Sequence, residues 1–213
     1  MFYIKITYKN IVVKNDKYTV DELKELKKQL NIKLDLVKEN ELLSYDEMAI
    51  YIDDILTKGR SEKGKKFVIK TKRNSIVKKR YTIGMCINED KTFIDYTINE
   101  KSLKSDKFNN FMEKINKKTN NKFSILMDNA TIHKNSKFNK EIIKNKYKII
   151  YNIPYQSELN PIEYVFSLLR RELLKNDNKN IESMIKTINN FMKNVNKENI
   201  KNIFKKTKLL RVL

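Results

Sequence analysis

The chain has 213 residues, enough for one domain with a substantial core, and Lys plus Arg outnumber Asp plus Glu 46 to 26, a net charge of +20. No stretch reaches the apolar length of a membrane span, the N-terminus lacks a signal peptide's apolar run, and the one cysteine, Cys86, excludes an intramolecular disulfide and a cysteine-built zinc site. A soluble, intracellular protein with a polyanionic partner is expected, nucleic acid first, although only six of the 46 basic residues are Arg and an AT-rich genome also inflates Lys, Asn and Ile.

Residues 1–40 read as a linker or N-terminal stub, with short strands or an extended arm at 2–8 and 11–13 and a helix from Thr19 to Leu30. Thr19 and Glu22 form a capping box there, and Val20, Leu23, Leu26 and Leu30 fall near one face. From residue 41 to 213 the pattern is that of one α/β domain. Leu42 to Ile52 is a strand carrying Asp46 and Glu47 in its middle, where an ionised carboxylate costs free energy unless something compensates it. A bound cation is one compensator. Asp46 and Glu47 alternate to opposite faces, and Asp53 and Asp54 read as the turn that ends the strand.

The basic run Lys63 to Lys79 is either a solvated face or a phosphate contact. Strands are expected at 66–70, 81–87 and 92–98, the last two joined by a turn at Asn88-Glu89-Asp90-Lys91. A helix follows over Ser102 to Lys118, with Leu103, Phe108, Phe111, Met112 and Ile115 inward. Phe123 to Met127 is a short apolar run ending at Asp128, as a central strand ends at the rim of a sheet. A helix at 136–145, a strand at 147–153 and a helix from Asn160 complete the pattern. That last helix has Ile162, Val165, Phe166, Leu169 and Leu173 on its buried stripe and Glu163 on its flank. Helices at 180–195 and 200–210 close the core. Three antiparallel strands, a helix, then strand, helix, strand, helix is the order of a ribonuclease-H-like fold, a mixed five-stranded sheet flanked by helices.

Asp128 and Glu163 each have a plain structural reading. Asp after a strand is often a turn or cap, and Asn160 with Glu163 spells a capping box with Pro161 at the first helical position. The whole string carries more. Asp128-Asn129-Ala130-Thr131-Ile132-His133, then Ile153-Pro154-Tyr155, then Leu159-Asn160-Pro161-Ile162-Glu163, resembles the catalytic core of mariner and bacterial insertion-sequence DDE transposases, over roughly a quarter of the chain. Gln156-Ser157 stands where that family has Ser-Pro, and Phe166 where it has Trp. The first change loosens the loop before the helix, and the second keeps an apolar anchor while losing an N–H donor.

The resemblance implies a set of expectations. Asp46, Asp128 and Glu163 would be the catalytic, metal-ligating carboxylates, holding two Mg²⁺ or Mn²⁺ ions, which favour hard oxygen ligands and water. Asn129, His133 and Asn160 would stand behind them. Asn129 and His133 either orient Asp128 or touch the DNA backbone, or else tie the post-strand loop to the core by a hydrogen bond. Arg170 and Arg171 either serve the helix's C-terminal dipole or meet phosphate. The implied activity is cleavage and strand transfer on double-stranded DNA, at transposon ends and target, by a homodimer acting in the nucleus or nucleoid. The usual N-terminal helix-turn-helix units are missing from this reading. Two alternatives follow: a truncated or domesticated relic that binds DNA without turnover, or a ribonuclease-H-like nuclease.

Overall fold

The computed structural model describes residues 17–38, 41–52, 79–90, 92–120, 123–129, 149–176 and 178–212. The expected strands at 2–8, 11–13 and 66–70, the helix at 136–145, Asp53, Asp54, His133 and all of the basic run except Lys79 lie outside these residues.

Five strands form one sheet in the order β3-β2-β1-β4-β5. The central strand, β1 (Leu42–Tyr51), pairs antiparallel with β2 (Arg80–Asn88), which pairs antiparallel with β3 (Thr92–Glu100). The β2–β3 turn is where the sequence marks it, closed by Asn88 Oδ1 accepting the Asp90 N–H at 3.0 Å. On its other edge β1 runs parallel to β4 (Ser124–Met127), and β4 parallel to β5 (Ile149–Tyr151). A parallel neighbour needs a crossover, supplied between β3 and β4 by α2 (Ser105–Lys118). This is the ribonuclease-H-like arrangement expected from the element order.

Strand alternation decides what each face of the sheet buries. Leu43 and Tyr45 of β1, with Cys86, Ile125 and Met127, pack under Leu103, Phe108, Phe111, Met112 and Ile115, the residues expected to point inward around α2. Burial pushes the Cys86 thiol far up, so it is an inert core residue. The opposite face carries Met48, Ile50, Ile83, Met85 and Ile87 against three helices. These are α3 (Pro161–Lys175), α4 (Ile181–Asn194) and α5 (Lys197–Val212). Phe166 is buried there as the apolar anchor of α3.

The first helix, α1 (Val20–Asp35), starts at the expected capping box, with the Glu22 N–H donating to Thr19 Oγ1 at 3.3 Å and the Thr19 N–H to Glu22 Oε2 at 2.8 Å. It runs five residues beyond the expected end at Leu30. Its packing follows the expected face except at Val20, which is 70% exposed: Leu30 and Leu34 are buried with Leu126, Ile150, Ile153 and Leu159, and Leu23 and Leu26 pack partly buried against them. α1 therefore shares the core of the sheet's β4–β5 side.

Gly84 has a clear steric reason. A Cβ there would stand 3.0 Å from the Tyr45 hydroxyl and 3.2 Å from Thr97 Cγ2. Tyr45 cannot retreat, being fully buried, 5.5 and 5.9 Å from the rings of Phe108 and Phe111, and donating to Glu47 Oε1 at 3.0 Å. Gly84→Ala is expected to cost about 1–3 kcal/mol through overpacking. Urea unfolding checks this, with Tyr45→Phe in the Gly84→Ala background recovering most of the loss. A double variant no better than Gly84→Ala alone would show that the hydroxyl is not the obstacle.

Candidate active site

The three carboxylates singled out in the sequence come from three elements: the central strand β1, the end of β4 and the first turn of α3. Asp46 lies mid-strand in β1. Its Oδ1 accepts the Glu47 backbone N–H at 2.7 Å and its Oδ2 faces Asn160 Nδ2 at 3.4 Å. By alternation it shares the face of Ser44, the side on which α3 packs. Glu47 turns to the other face, where it meets Tyr45. Asp128 follows the last residue of β4. The parallel register pairs Ser44 with Leu126, and two residues further it sets Asp128 level with Asp46. The β4 edge ends there because Met127 C=O accepts its final ladder bond from the Asn152 N–H at 2.8 Å.

Glu163 occupies the first turn of α3, half-buried. Burial raises its carboxyl above the ordinary range; Arg170, two turns along the helix, pulls it back, and the Asp128 charge pushes it up again. Glu163 and Asp128 are thus close enough to repel one another in a partly desolvated setting. Such a pair gains from a cation.

The docking of α3 on β1 rests on a short polar chain. The expected capping box between Asn160 and Glu163 does not form. Asn160 is the N-cap by position but makes no side-chain capping bond, and the Glu163 N–H meets the Asn160 backbone carbonyl at 3.2 Å. The Asn160 side chain, 1% exposed, is taken up by the sheet instead. Its Oδ1 accepts from Ser44 Oγ at 2.5 Å, and its Nδ2 donates to the Tyr45 carbonyl at 3.2 Å while facing Asp46. Ser44 Oγ in turn accepts the Ile162 N–H at 3.1 Å. The first turn of a helix has N–H groups without intrahelical partners. Pro161 has none to offer, and the next is satisfied by a serine reaching across from the strand. Asp46 and Glu163 are linked in this way through Ser44 and Asn160, and the Glu163 carboxylate stays out of the cap.

Ser44 is the residue that sequence reading passed over. Its signal was the spacing: two residues before Asp46 in a strand, hence on the same face, and polar in an otherwise apolar stretch. Among the residues expected behind the carboxylates, Asn160 stands in contact with Asp46, while Asn129 follows Asp128 as an exposed residue. The two arginines part company. Arg170 acts on the Glu163 charge and borders Ala49, Ile50 and Tyr51 of β1. Arg171 lines a polar cleft of about 520 Å³ between α3 and the following helices, with Lys175, Thr187 and Asn194.

The loop before α3, expected to be loosened by Gln156-Ser157, is laced by hydrogen bonds. Asn152 Nδ2 donates to the Gln156 carbonyl at 2.7 Å, the Gln156 N–H to Ile153 at 3.1 Å and the Asn160 N–H to Ser157 at 2.9 Å.

In chemical kind the donors suit a hard divalent cation: carboxylate oxygens, no thiolate, and a raised acid beside a second one. Among the described residues no three Asp, Glu, His or Cys side chains stand close enough together to hold one ion. Nor is any helix among them long and apolar enough to cross a membrane.

No curated protein matches the chain. In fold it is similar to the pre-cleavage Mos1 transpososome, with a TM-score of 0.78 at 14% identity over 98% of this chain and 66% of that one. The Mos1 transposase paired-end complex with left transposon end gives 0.78 at 16% identity over 97% and 65%. The catalytic domain of Mos1 mariner transposase gives 0.70 at 13% identity, covering 92% of both chains. The chain spans about two thirds of the length of the transposases in those complexes. The family model described as DDE superfamily endonuclease matches residues 41–185, a span holding all three carboxylates, Ser44 and Asn160. The chain belongs to the DDE superfamily endonucleases.

Proposed function

We propose that the chain is the catalytic domain of a DDE transposase, cleaving DNA strands and transferring them with divalent metal. The observation that supports this is that Ser44 and Asn160 bond the strand of Asp46 to the helix of Glu163, while Glu163 lies within reach of the Asp128 charge. Asp46 and Asp128 would hold one side of a pair of Mg²⁺ or Mn²⁺ ions and Glu163 the other. Bound there, the ions would supply activation of the attacking oxygen and neutralisation of the leaving one in an in-line phosphodiester displacement. Mg²⁺ commonly binds through one or two carboxylates plus water and substrate phosphate, so a closed cage of protein ligands is not required.

The chain's own residues do the rest. Asn160 holds Asp46 by one oxygen while the Glu47 N–H takes the other. The dipole of α3 favours the ionised form of Glu163 in its first turn, and Arg170 adds to that. Solved structures similar in fold include the Mos1 paired-end complex with Mn and the Mos1 strand transfer complex. By that likeness, transposon ends and target DNA are the proposed partners and two copies of the chain the proposed working unit. The +20 charge fits such a polyanion.

A second reading, DNA binding without turnover, draws on the absence of a closed three-ligand group among the described residues. Metal removal separates the two. Supercoiled plasmid at low salt is expected to be nicked in Mg²⁺ or Mn²⁺ and left intact in chelator, with nicking restored when metal is added back. DNA bound but never nicked in either metal would give the second reading the lead. A preference for RNA–DNA hybrids over DNA duplex would redirect the assignment to a ribonuclease-H-like nuclease.

A further inference from the structure

Tyr155 is the residue that folding alone leaves without a purpose. Its φ is 64°, a left-handed conformation that is a genuine outlier for a bulky side chain. Glycine or asparagine would occupy that position at less cost. Strain of this kind persists only where the surroundings impose it. Here the Asn152 side chain and the Gln156 N–H pin the turn from both sides. Packing returns little for it: Tyr155 is 63% exposed, and among the described residues Lys17 lies over its ring, Nζ 4.9 Å from the centroid.

Its place in the fold is specific. The turn begins at Asn152, which is bonded to the residue just before Asp128, and ends in the 3₁₀ turn Ser157–Leu159 that leads to Asn160 and Glu163. Tyr155 therefore sits on the turn that runs from Asn152, tied to the end of β4 beside Asp128, to the start of the helix that carries Glu163. An exposed aromatic face beside an ammonium group is the combination that surfaces for single-stranded nucleic acid use, the ring stacking on a base and the cation meeting the adjacent phosphate. A base paired within an intact duplex has both of its faces covered. The ring selects for one that has left the stack.

We propose that Tyr155, with Lys17, forms a contact for an unstacked nucleobase of the DNA strand lying at the carboxylate edge. This rests on the reading of the chain as a DNA-processing domain, but its test reads binding alone. Short duplexes carrying 2-aminopurine in an unpaired overhang, and the same sequence fully paired, are titrated with protein in chelator at low salt. Wild type is expected to quench the unpaired probe and to bind it about tenfold more tightly than the paired one. Tyr155→Phe should keep that preference, and Tyr155→Ala and Tyr155→Gly should lose it. Lys17→Ala should weaken binding to both probes and flatten the salt dependence. Tyr155→Gly should melt no lower than wild type, because it removes the strained conformation; a purely structural tyrosine would melt lower when replaced.

The inference is overturned if wild type shows no preference, if Tyr155→Ala retains it, or if Tyr155→Phe loses it as Tyr155→Ala does. Plasmid nicking, scored separately, keeps the two readings apart. Protein that stacks the probe through Tyr155 yet never nicks keeps the contact and loses the catalysis. Protein that nicks with metal while Tyr155→Ala retains the preference keeps the catalysis and loses the contact.

Discussion

Glu163→Gln is expected to lower metal-dependent nicking by on the order of a thousandfold while leaving the fold intact. The substitution keeps the shape of the side chain and removes one anionic oxygen ligand. A divalent ion's stabilisation of developing charge amounts to several kcal/mol, and each 1.36 kcal/mol is a factor of ten in rate. Asp46→Asn and Asp128→Asn should each match it, because the three acids would serve as one unit. Stability should move the other way. In the metal-free protein burial and the Asp128 charge, opposed by Arg170, leave the Glu163 carboxyl above the ordinary range. A group whose folded pKa is raised favours the folded state below its unfolded value and loses that contribution as pH rises through the folded one. At neutral pH the ionised carboxylate is therefore a burden that glutamine removes. In chelator Glu163→Gln should melt at or above the wild-type temperature at pH 7, and the gain should shrink as pH falls below the ordinary Glu value. Added Mg²⁺ should raise the wild-type melting temperature and not that of Glu163→Gln. Nicking that survives in all three variants would dismiss these carboxylates as the site. A Glu163→Gln protein less stable than wild type at pH 7 would mean that the carboxylate has a structural partner.

How far the sequence reached depended on which kind of signal each element carried. Strands with a buried face and helices with a clear apolar stripe were legible: β1 to β3, the inward side of α2, and the stripe of Ile162, Val165, Phe166, Leu169 and Leu173 are where periodicity put them. Val20 was misplaced because a pattern near one face does not say where the helix meets the core. α1 meets the core from Leu23 onward, most deeply at Leu30 and Leu34, with Val20 in solvent. The capping-box reading of Asn160 failed for a deeper reason. Its local grammar is that of a capping box, and local grammar cannot show that a serine 116 residues away competes for the same side chain. The tertiary bond won, since a buried Ser hydroxyl and a buried Asn amide satisfy each other where water is absent. Tyr155 was visible as a motif letter, but the backbone angle that makes it unusual was not.

Asn160→Ala is the second substitution expected to have a large effect, acting on stability and activity together. It removes the acceptor for Ser44 Oγ and the donor to the Tyr45 carbonyl at a position 1% exposed. Leaving a buried polar group unpaired costs about 1–3 kcal/mol, so a loss of about 2–6 kcal/mol is expected with two groups involved, at roughly 2–4 °C in melting temperature per kcal/mol for a domain of this size. Activity should fall further than unfolding explains, because Asn160 also faces Asp46 Oδ2 and fixes the start of α3. At a temperature where wild type and variant are both folded, nicking should drop by about ten- to a hundredfold, and the Mg²⁺ concentration for half-maximal rate should rise. Ser44→Ala should reproduce the metal shift through the other end of the chain, since the Ile162 N–H and Asn160 Oδ1 both lose their partner. Asn160→Asp separates the two roles. It keeps an acceptor for Ser44, but at neutral pH it sets a second negative charge about where Nδ2 now faces Asp46, so stability should recover in part while activity does not. A purely structural Asn160 would show the opposite: all three variants would lose stability, and each would respond to Mg²⁺ as wild type does once folded.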